Sequence, residues 1–149
     1  MRIWIAIACV LALAGAAMAG DNGIERKKAA QGVSETVDQL VSTMEEAGLK
    51  IFARVDHGAG AQSIGEDIGA SQLLIFGNPK VGTPAIKDDP VSGLFLPLKV
   101  LVYEDAGQTW IAYQKPADML GPLGGVSDDA PYITVMTGAL GKFTDSVKE

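Results

Sequence analysis

The strongest constraint on folding is an uninterrupted apolar segment that ends abruptly in a turn. Leu73–Phe76 carries four large apolar side chains in succession, and Gly77-Asn78-Pro79 follows at once. An apolar run of this length without alternation is typical of a strand covered on both faces, and Gly, Asn and Pro supply turn dihedral angles. The pattern predicts a central, fully buried strand that feeds a polar corner, where a scaffold can present functional groups.

The N-terminal segment has the features of a cleavable secretory signal. Arg2 supplies a positive charge, Ile3–Ala14 is apolar, and Ala17-Met18-Ala19 has the small residues of a cleavage site. We therefore assign residues 1–20 to a cleaved secretory signal and expect cleavage just before Gly20 or Asp21, so that one of these two residues begins the mature chain. The alternative is an uncleaved membrane anchor. The predicted location is periplasmic or secreted.

The rest of the chain, residues 21–149, is predicted to form a single domain, because it is long enough for one core and contains no internal repeat. Cys9 lies within the signal segment, so the mature protein would contain neither a disulfide nor a thiolate nucleophile. Loss of Arg2 leaves 11 basic residues, one fewer than the 12 of the full chain, against 18 acidic ones. This acidic balance argues against nucleic acid or a membrane surface as a partner after signal cleavage.

Hydrophobic periodicity predicts two long helices. The first is expected to be capped by Ser34 and to end at Gly48, because apolar residues recur between them at helical spacing. The second is a C-terminal helix over about 128–147, with Ser127 or Asp128 as its cap. Gly138 and Gly141 would allow this second helix to approach closely the sheet or a partner subunit, so a homodimer is possible.

Alternating residues predict strands on both sides of the central one. Leu49–Asp56 alternates, which would place His57 in the buried row, and Leu98–Tyr103 pairs through a hairpin with Thr109–Gln114. Ile24–Ala30 is either an edge strand or an ordered arm.

The connections between these strands suggest the sheet topology. A glycine-rich turn and a short helix near Gln62–Ile68 separate Asp56 from Gln72, which is enough chain for a crossover between parallel strands. Thr83-Pro84 is expected to begin a further helix. The predicted fold class is α+β, a two-layer domain in which a mixed β-sheet of about four to five strands packs against helices.

Several of these segments resemble the domain-of-unknown-function 302 family. The resemblance is carried by Leu49–His57, Gln72–Pro79, Gly82-Thr83-Pro84, Leu96–Asp105 and Trp110, in order and with fitting gaps. It spans about residues 34–116. The family is a small bacterial and archaeal α+β domain, sometimes secreted and without established chemistry. The resemblance therefore implies the fold, and no catalytic residue can be carried over from it.

Five polar residues at strand ends are the candidates for ligand binding: Asp56, His57, Asn78, Lys99 and Glu104. If all three strands are parallel, His57, Asn78 and Glu104 gather at one edge and Lys99 lies at the other. If the third strand is antiparallel, Lys99 replaces Glu104 beside His57. We favour the first arrangement.

His57 is the only histidine, and so the only side chain that normally titrates near neutral pH. It is the one weak catalytic candidate, as a general base. Asp56 and His57 do not form a dyad, because successive strand residues point to opposite faces. A metal site is not expected, since a single histidine would have only carboxylates such as Glu104 beside it.

The sequence therefore predicts an exported binding or accessory domain that holds a small molecule or a protein partner near the Asp56-His57 and Gly77–Pro79 corners. The alternative is a small enzyme, a hydrolase or isomerase, that uses His57 as general base. No sequence feature identifies a cofactor.

Overall fold

In the computed structural model, which describes residues 23–149, five antiparallel strands form one sheet in the order β1-β5-β4-β3-β2. The strands are β1 (Ile24–Lys28), β2 (Lys50–Asp56), β3 (Ser71–Gly77), β4 (Leu98–Asp105) and β5 (Gln108–Gln114). The helices are α1 (Val33–Glu46), α2 (His57–Gln62), α3 (Pro79–Asp88), α4 (Ser92–Phe95), α5 (Pro116–Leu120) and α6 (Pro131–Asp145). The predicted signal segment, with its cleavage site and Cys9, lies outside the described residues.

The α+β class is confirmed, but the strand directions differ from the prediction. β2 and β3 pair antiparallel, with Asp56 opposite Gln72, and β3 and β4 pair antiparallel, with Phe76 opposite Leu98. All pairings between the described strands are antiparallel, so the sheet is not mixed. The connection after β2 does not cross over, because α2 begins directly at His57 and the chain then returns to the neighbouring strand.

The core forms where α1 packs against the sheet. Its predicted apolar stripe is present: Val37, Leu40 and Met44 are fully buried, and α1 contacts β2, β3 and β4. The cap differs from the prediction, since Gly32 occupies that position and the Ser34 hydroxyl instead accepts a hydrogen bond from Arg54 at 3.4 Å. Helical spacing therefore located the buried face correctly and missed only the first turn.

β3 is an interior strand, but only one of its faces is fully buried. Leu74 and Phe76 point to the α1 side and have no exposed surface. Leu73 and Ile75 point to the opposite side and remain half-buried. The prediction of a fully buried strand is therefore wrong. The run lacks alternation because the face directed away from α1 is also apolar, with Leu101 beside Leu73.

Two short helices begin earlier than predicted. α3 begins at Pro79 with Asn78 as its N-cap, and Pro84 lies inside the helix instead of at its start. α2 spans His57–Gln62, directly after β2, so His57 is an exposed first helical residue and does not continue the buried row of the strand. In both cases a side chain at the strand end caps the helix, and this capping decides where it begins.

The C-terminal helix is shorter than the predicted 128–147 and packs on α1, α3 and α5 of its own chain. Lys27 of β1 binds it by donating to Thr144 Oγ1 and Asp145 Oδ1, both at 2.8 Å. This hydrogen bond holds the pKa of Asp145 below its ordinary value. Apart from its chain neighbours and the nearby backbone of its own helix, a Cβ added to Gly138 or Gly141 would meet no described atom within 4 Å, so neither glycine serves close packing between elements of the chain. A homodimer stays a prediction.

The two faces of β3 should differ in their contribution to stability. Leu74→Ala is expected to lower the free energy of unfolding by about 2–5 kcal/mol, because it opens a cavity under α1. Ile75→Ala should cost about 1–2 kcal/mol, because that side chain keeps part of its surface in water. Urea denaturation of both variants measures the difference. Equal losses would show that the Ile75 face is covered in solution as completely as the Leu74 face.

Candidate functional site

The five candidate residues fall at opposite edges of the sheet. β2 and β4 run in the same direction with β3 reversed between them, so Asp56, His57 and Glu104 lie at one edge. Asn78 and Lys99 lie at the other. The prediction that Glu104 and His57 lie at the same edge was therefore right. The prediction that Asn78 joins them was wrong, because it assumed that β3 is parallel to its neighbours.

At the first edge, Asp56 has a structural role. Its Oδ1 accepts a hydrogen bond from the Ala59 backbone at 2.8 Å, which caps α2. The next turn approaches the chain closely: a Cβ on Gly58 would lie 2.8 Å from the Gly69 carbonyl oxygen. Only glycine fits there, because real Cβ atoms do not approach backbone oxygens so closely.

His57 and Glu104 share this edge without interacting. The backbone N–H of Glu104 donates to the Ala70 carbonyl at 2.9 Å. Within residues 23–149, neither the His57 imidazole nor the Glu104 carboxylate has a hydrogen bond or ion pair. The same residues contain no group of three or more His, Cys, Asp or Glu side chains arranged to hold a metal ion. This edge therefore presents two separate, solvated groups.

A polar network beside this edge was not expected from the sequence. Arg54 donates through Nε to Gln72 Oε1 at 2.6 Å and forms an ion pair with Asp38 of α1. Gln72 continues the network towards Asp56 Oδ2 at 3.5 Å. These groups join α1, β2 and β3 across the surface. Exposed pairs of this kind contribute at most about 1 kcal/mol each, so the network adds little to stability.

At the second edge, Asn78 and Lys99 stabilise the backbone. Asn78 Oδ1 accepts from the Lys80 N–H at 2.9 Å, the Asx-type bond expected for a turn asparagine. Lys99 donates to the carbonyls of Phe95 and Pro97 at 2.8 and 3.1 Å, which closes the loop before β4. Partial burial lowers the pKa of the Lys99 ammonium.

An apolar cleft opens at this second edge, between α3, α6 and the ends of β2, β3 and β4. We call it the corner cleft; its volume is about 530 Å³. Its floor is core, formed by buried side chains that include Phe76, Leu98, Met136 and Phe143. Its rim is apolar and exposed: Phe52, Ile86 and Val135 keep 46%, 40% and 51% of their surface in water.

The polar groups of the corner cleft are few. Asn78, Thr83 and Lys142 line it, and Lys142 is the only charged residue among the described residues of its lining. Gly138 also lines it, and a Cβ added there would meet open space. Sequence analysis identified the Gly77–Pro79 corner as a candidate but missed the α6 residues. A glycine within the apolar helix α6 is the sequence signal that could have indicated these residues. From the sequence alone, however, such a glycine indicates close packing equally well.

Fold and cleft together define a small α+β domain whose helix layer leaves an apolar cleft at one sheet edge. In the described residues, no helix has the length and apolar character needed to span a membrane. A family model described as "Domain of unknown function DUF302" matches residues 25–136. The chain belongs to this family, which confirms the resemblance seen in the sequence.

A solved structure supports the fold. The crystal structure of an uncharacterised conserved DUF302 protein from Bacillus stearothermophilus superposes with a TM-score of 0.75 and covers 85% of this chain and 98% of that one. The two sequences are 21% identical. A similarity at this level of identity concerns the fold alone.

Curated relatives from Brucella are closer in sequence and longer. The fluoride-specific ion channel FluC 1 of Brucella suis is 34% identical over 120 residues, covering 79% of this chain and 47% of that protein. The proteins named FluC 1 in Brucella abortus and FluC 2 in Brucella melitensis match equally, over 44% of their length. This chain thus spans less than half the length of these relatives.

The first edge allows a test of whether Asp56 acts as the cap of α2. Asp56→Ala should lower the free energy of unfolding by about 1 kcal/mol because it removes the α2 cap, and Asp56→Asn should retain most of that stability. His57→Ala should change stability by no more than about 0.5 kcal/mol, since the exposed imidazole makes no bond within residues 23–149. Chemical denaturation of the three variants gives the comparison. An equal loss in both Asp56 variants would mean that the carboxylate charge matters and the cap does not.

Proposed function

We propose that this protein is an exported binding or accessory domain that holds a small, mainly apolar molecule in the corner cleft. The observation that carries the proposal is the clustering of exposed Phe52, Ile86 and Val135 around one concave, core-floored space. Apolar surface in water costs about 25 cal/mol per Å², so a bound molecule that covered the rim would be stabilised by its burial.

The size and composition of the cleft fit this role. A volume of about 530 Å³ lies within the usual range for small-molecule sites, which are mostly apolar with a few polar groups that orient the ligand. The cleft is also next to the Gly77–Pro79 corner, one of the two places where the sequence predicts binding. Export is supported by the signal-like pattern that ends at Ala17-Met18-Ala19.

The Brucella relatives support the proposal of an accessory role. In proteins named as fluoride-specific ion channels, the part that matches this chain occupies less than half of the length. A domain of this kind can therefore accompany a larger functional unit in one polypeptide. For the present chain we propose ligand binding as the contribution of the domain itself.

The alternative of an enzyme that uses His57 as base has less support. A general base needs a substrate within hydrogen-bond reach. His57 lies at the sheet edge opposite the corner cleft, and within the described residues no acid is bonded to its imidazole.

Filling the cleft tests the proposal. Gly138 lines the cleft, and a Cβ added there would meet no described atom within 4 Å outside its chain neighbours and the nearby backbone of its own helix, so Gly138→Leu is expected to occupy cleft space. It should weaken binding of the neutral fluorescent probe N-phenyl-1-naphthylamine by about tenfold or more, equivalent to about 1.4 kcal/mol. The variant should be no less stable than the wild type, because leucine favours helix over glycine by up to about 1 kcal/mol.

The matched control is Thr137→Leu, an exposed neighbour on the same helix that does not line the cleft. It should bind the probe as the wild type does. Fluorescence titration measures both affinities, and thermal unfolding checks that both variants fold. Equal probe binding by the two variants, or no binding by the wild type, would overturn the proposal.

A further inference from the structure

We infer that the ligand of the corner cleft is an anionic amphiphile, an alkyl chain ending in a carboxylate-like head that binds Lys142. This inference rests on the proposed function and specifies the ligand class for the same site. The apolar lining accounts for the chain, and Lys142, the only charged residue among the described residues of the lining, accounts for the head, with Asn78 as a further donor.

Lys142 and Asn78 belong to the two helices that border the cleft. α3 and α6 contact each other, and the Tyr132 hydroxyl near the start of α6 donates to Asp88 Oδ2 at the end of α3, at 2.9 Å. Lys142 lies ten residues after this bond along α6, and Asn78 lies ten residues before it along α3, or about 15 Å at 1.5 Å per residue. Both residues line the cleft, away from the point where the two helices are joined.

Lys142 is a cation without a partner inside residues 23–149. Its ammonium makes no hydrogen bond or ion pair there. The nearest acid along α6 is Asp145, three residues on, and its carboxylate is bound by Lys27 at 2.8 Å and Lys148 at 3.2 Å. Because the described residues that line the cleft include no carboxylate, an anionic ligand is the group that would neutralise Lys142.

Asn78 adds a neutral donor. Its Oδ1 is used by the Lys80 N–H, and its side-chain amide N–H₂ makes no hydrogen bond within the part of the chain described. An asparagine amide carries two donors, which suit carboxylate oxygens. Asn78 also caps the ten-residue α3, whose N-terminal end carries partial positive charge and favours anions. These groups of the cleft lining thus disfavour a cationic head.

The test compares three ligands that share a ten-carbon chain and differ in head group. Decanoate, 1-decanol and decyltrimethylammonium are titrated below their micelle concentrations, by displacement of N-phenyl-1-naphthylamine at low salt. Wild-type protein should bind decanoate about three- to fivefold more tightly than decanol, and decanol more tightly than the cation, as expected for one charge pair formed by an exposed lysine at low salt.

The Lys142 variants separate charge from shape. Lys142→Met should reduce decanoate affinity to the decanol level and leave decanol affinity unchanged. Lys142→Arg should retain the preference for decanoate. Lys87→Met is the control, because Lys87 is an exposed lysine at the end of α3 that does not line the corner cleft. It should behave as the wild type.

The outcomes distinguish the inference from the proposed function. If decanol binds and Gly138→Leu abolishes its binding, but decanoate gains nothing over decanol, the anionic head is wrong and the apolar site stands. If decanoate is preferred equally by wild type and Lys142→Met, Lys142 is not its partner and the inference fails. If none of the three ligands binds, the proposed function fails as well.

Discussion

Burial of one face of the sheet by the helix layer holds this protein together. Val37, Leu40 and Met44 of α1 have no exposed surface, and neither do Leu74 and Phe76 beneath them. Burial of such side chains contributes about 1.5–3 kcal/mol each, which is large beside the exposed ion pairs of this protein. The helix layer packs on all the strands that it covers. The way α1, α3 and α6 cover the sheet therefore determines where the turns at the strand ends lie.

The same packing explains why the cleft exists where it does. α6 is held at its start by the Tyr132–Asp88 hydrogen bond and near its end by the Lys27–Asp145 ion pair. Between these points, Gly138 lines the cleft and contributes no side chain to it. Buried apolar side chains of the core therefore form the floor of the cleft. A binding site in this protein is a place where the helix layer is incomplete, and the polar groups that line it, Asn78, Thr83 and Lys142, belong to the two helices that border it.

Prediction from sequence succeeded for patterns that are local and repeated. The apolar stripe from Val37 to Met44 located α1, and the hairpin between β4 and β5 was recognised from its turn. Helix starts were less well predicted, because Asn78 and Thr83-Pro84 both carry capping signals and the choice depends on where β3 ends. Asn78 stabilises its turn by accepting from the Lys80 N–H. That Asn78 and Lys142 line the same cleft was not expected, since the two residues are 64 positions apart and the cleft forms only through the packing of α3 and α6.

The α+β class, the family, the apolar character of β3 and the polar corner after it can all be predicted from the chain alone, because each depends on residues close together in sequence. The antiparallel direction of neighbouring strands cannot, since a connection of the length between Asp56 and Gln72 can serve either direction. Tertiary packing sets that direction. The antiparallel direction separates Asn78 from His57 and places the Gly77–Pro79 corner beside α6. The corner cleft and the position of its lysine likewise depend on long-range packing. The geometry of that packing is set by how whole helices cover the sheet, and no short stretch of residues indicates it.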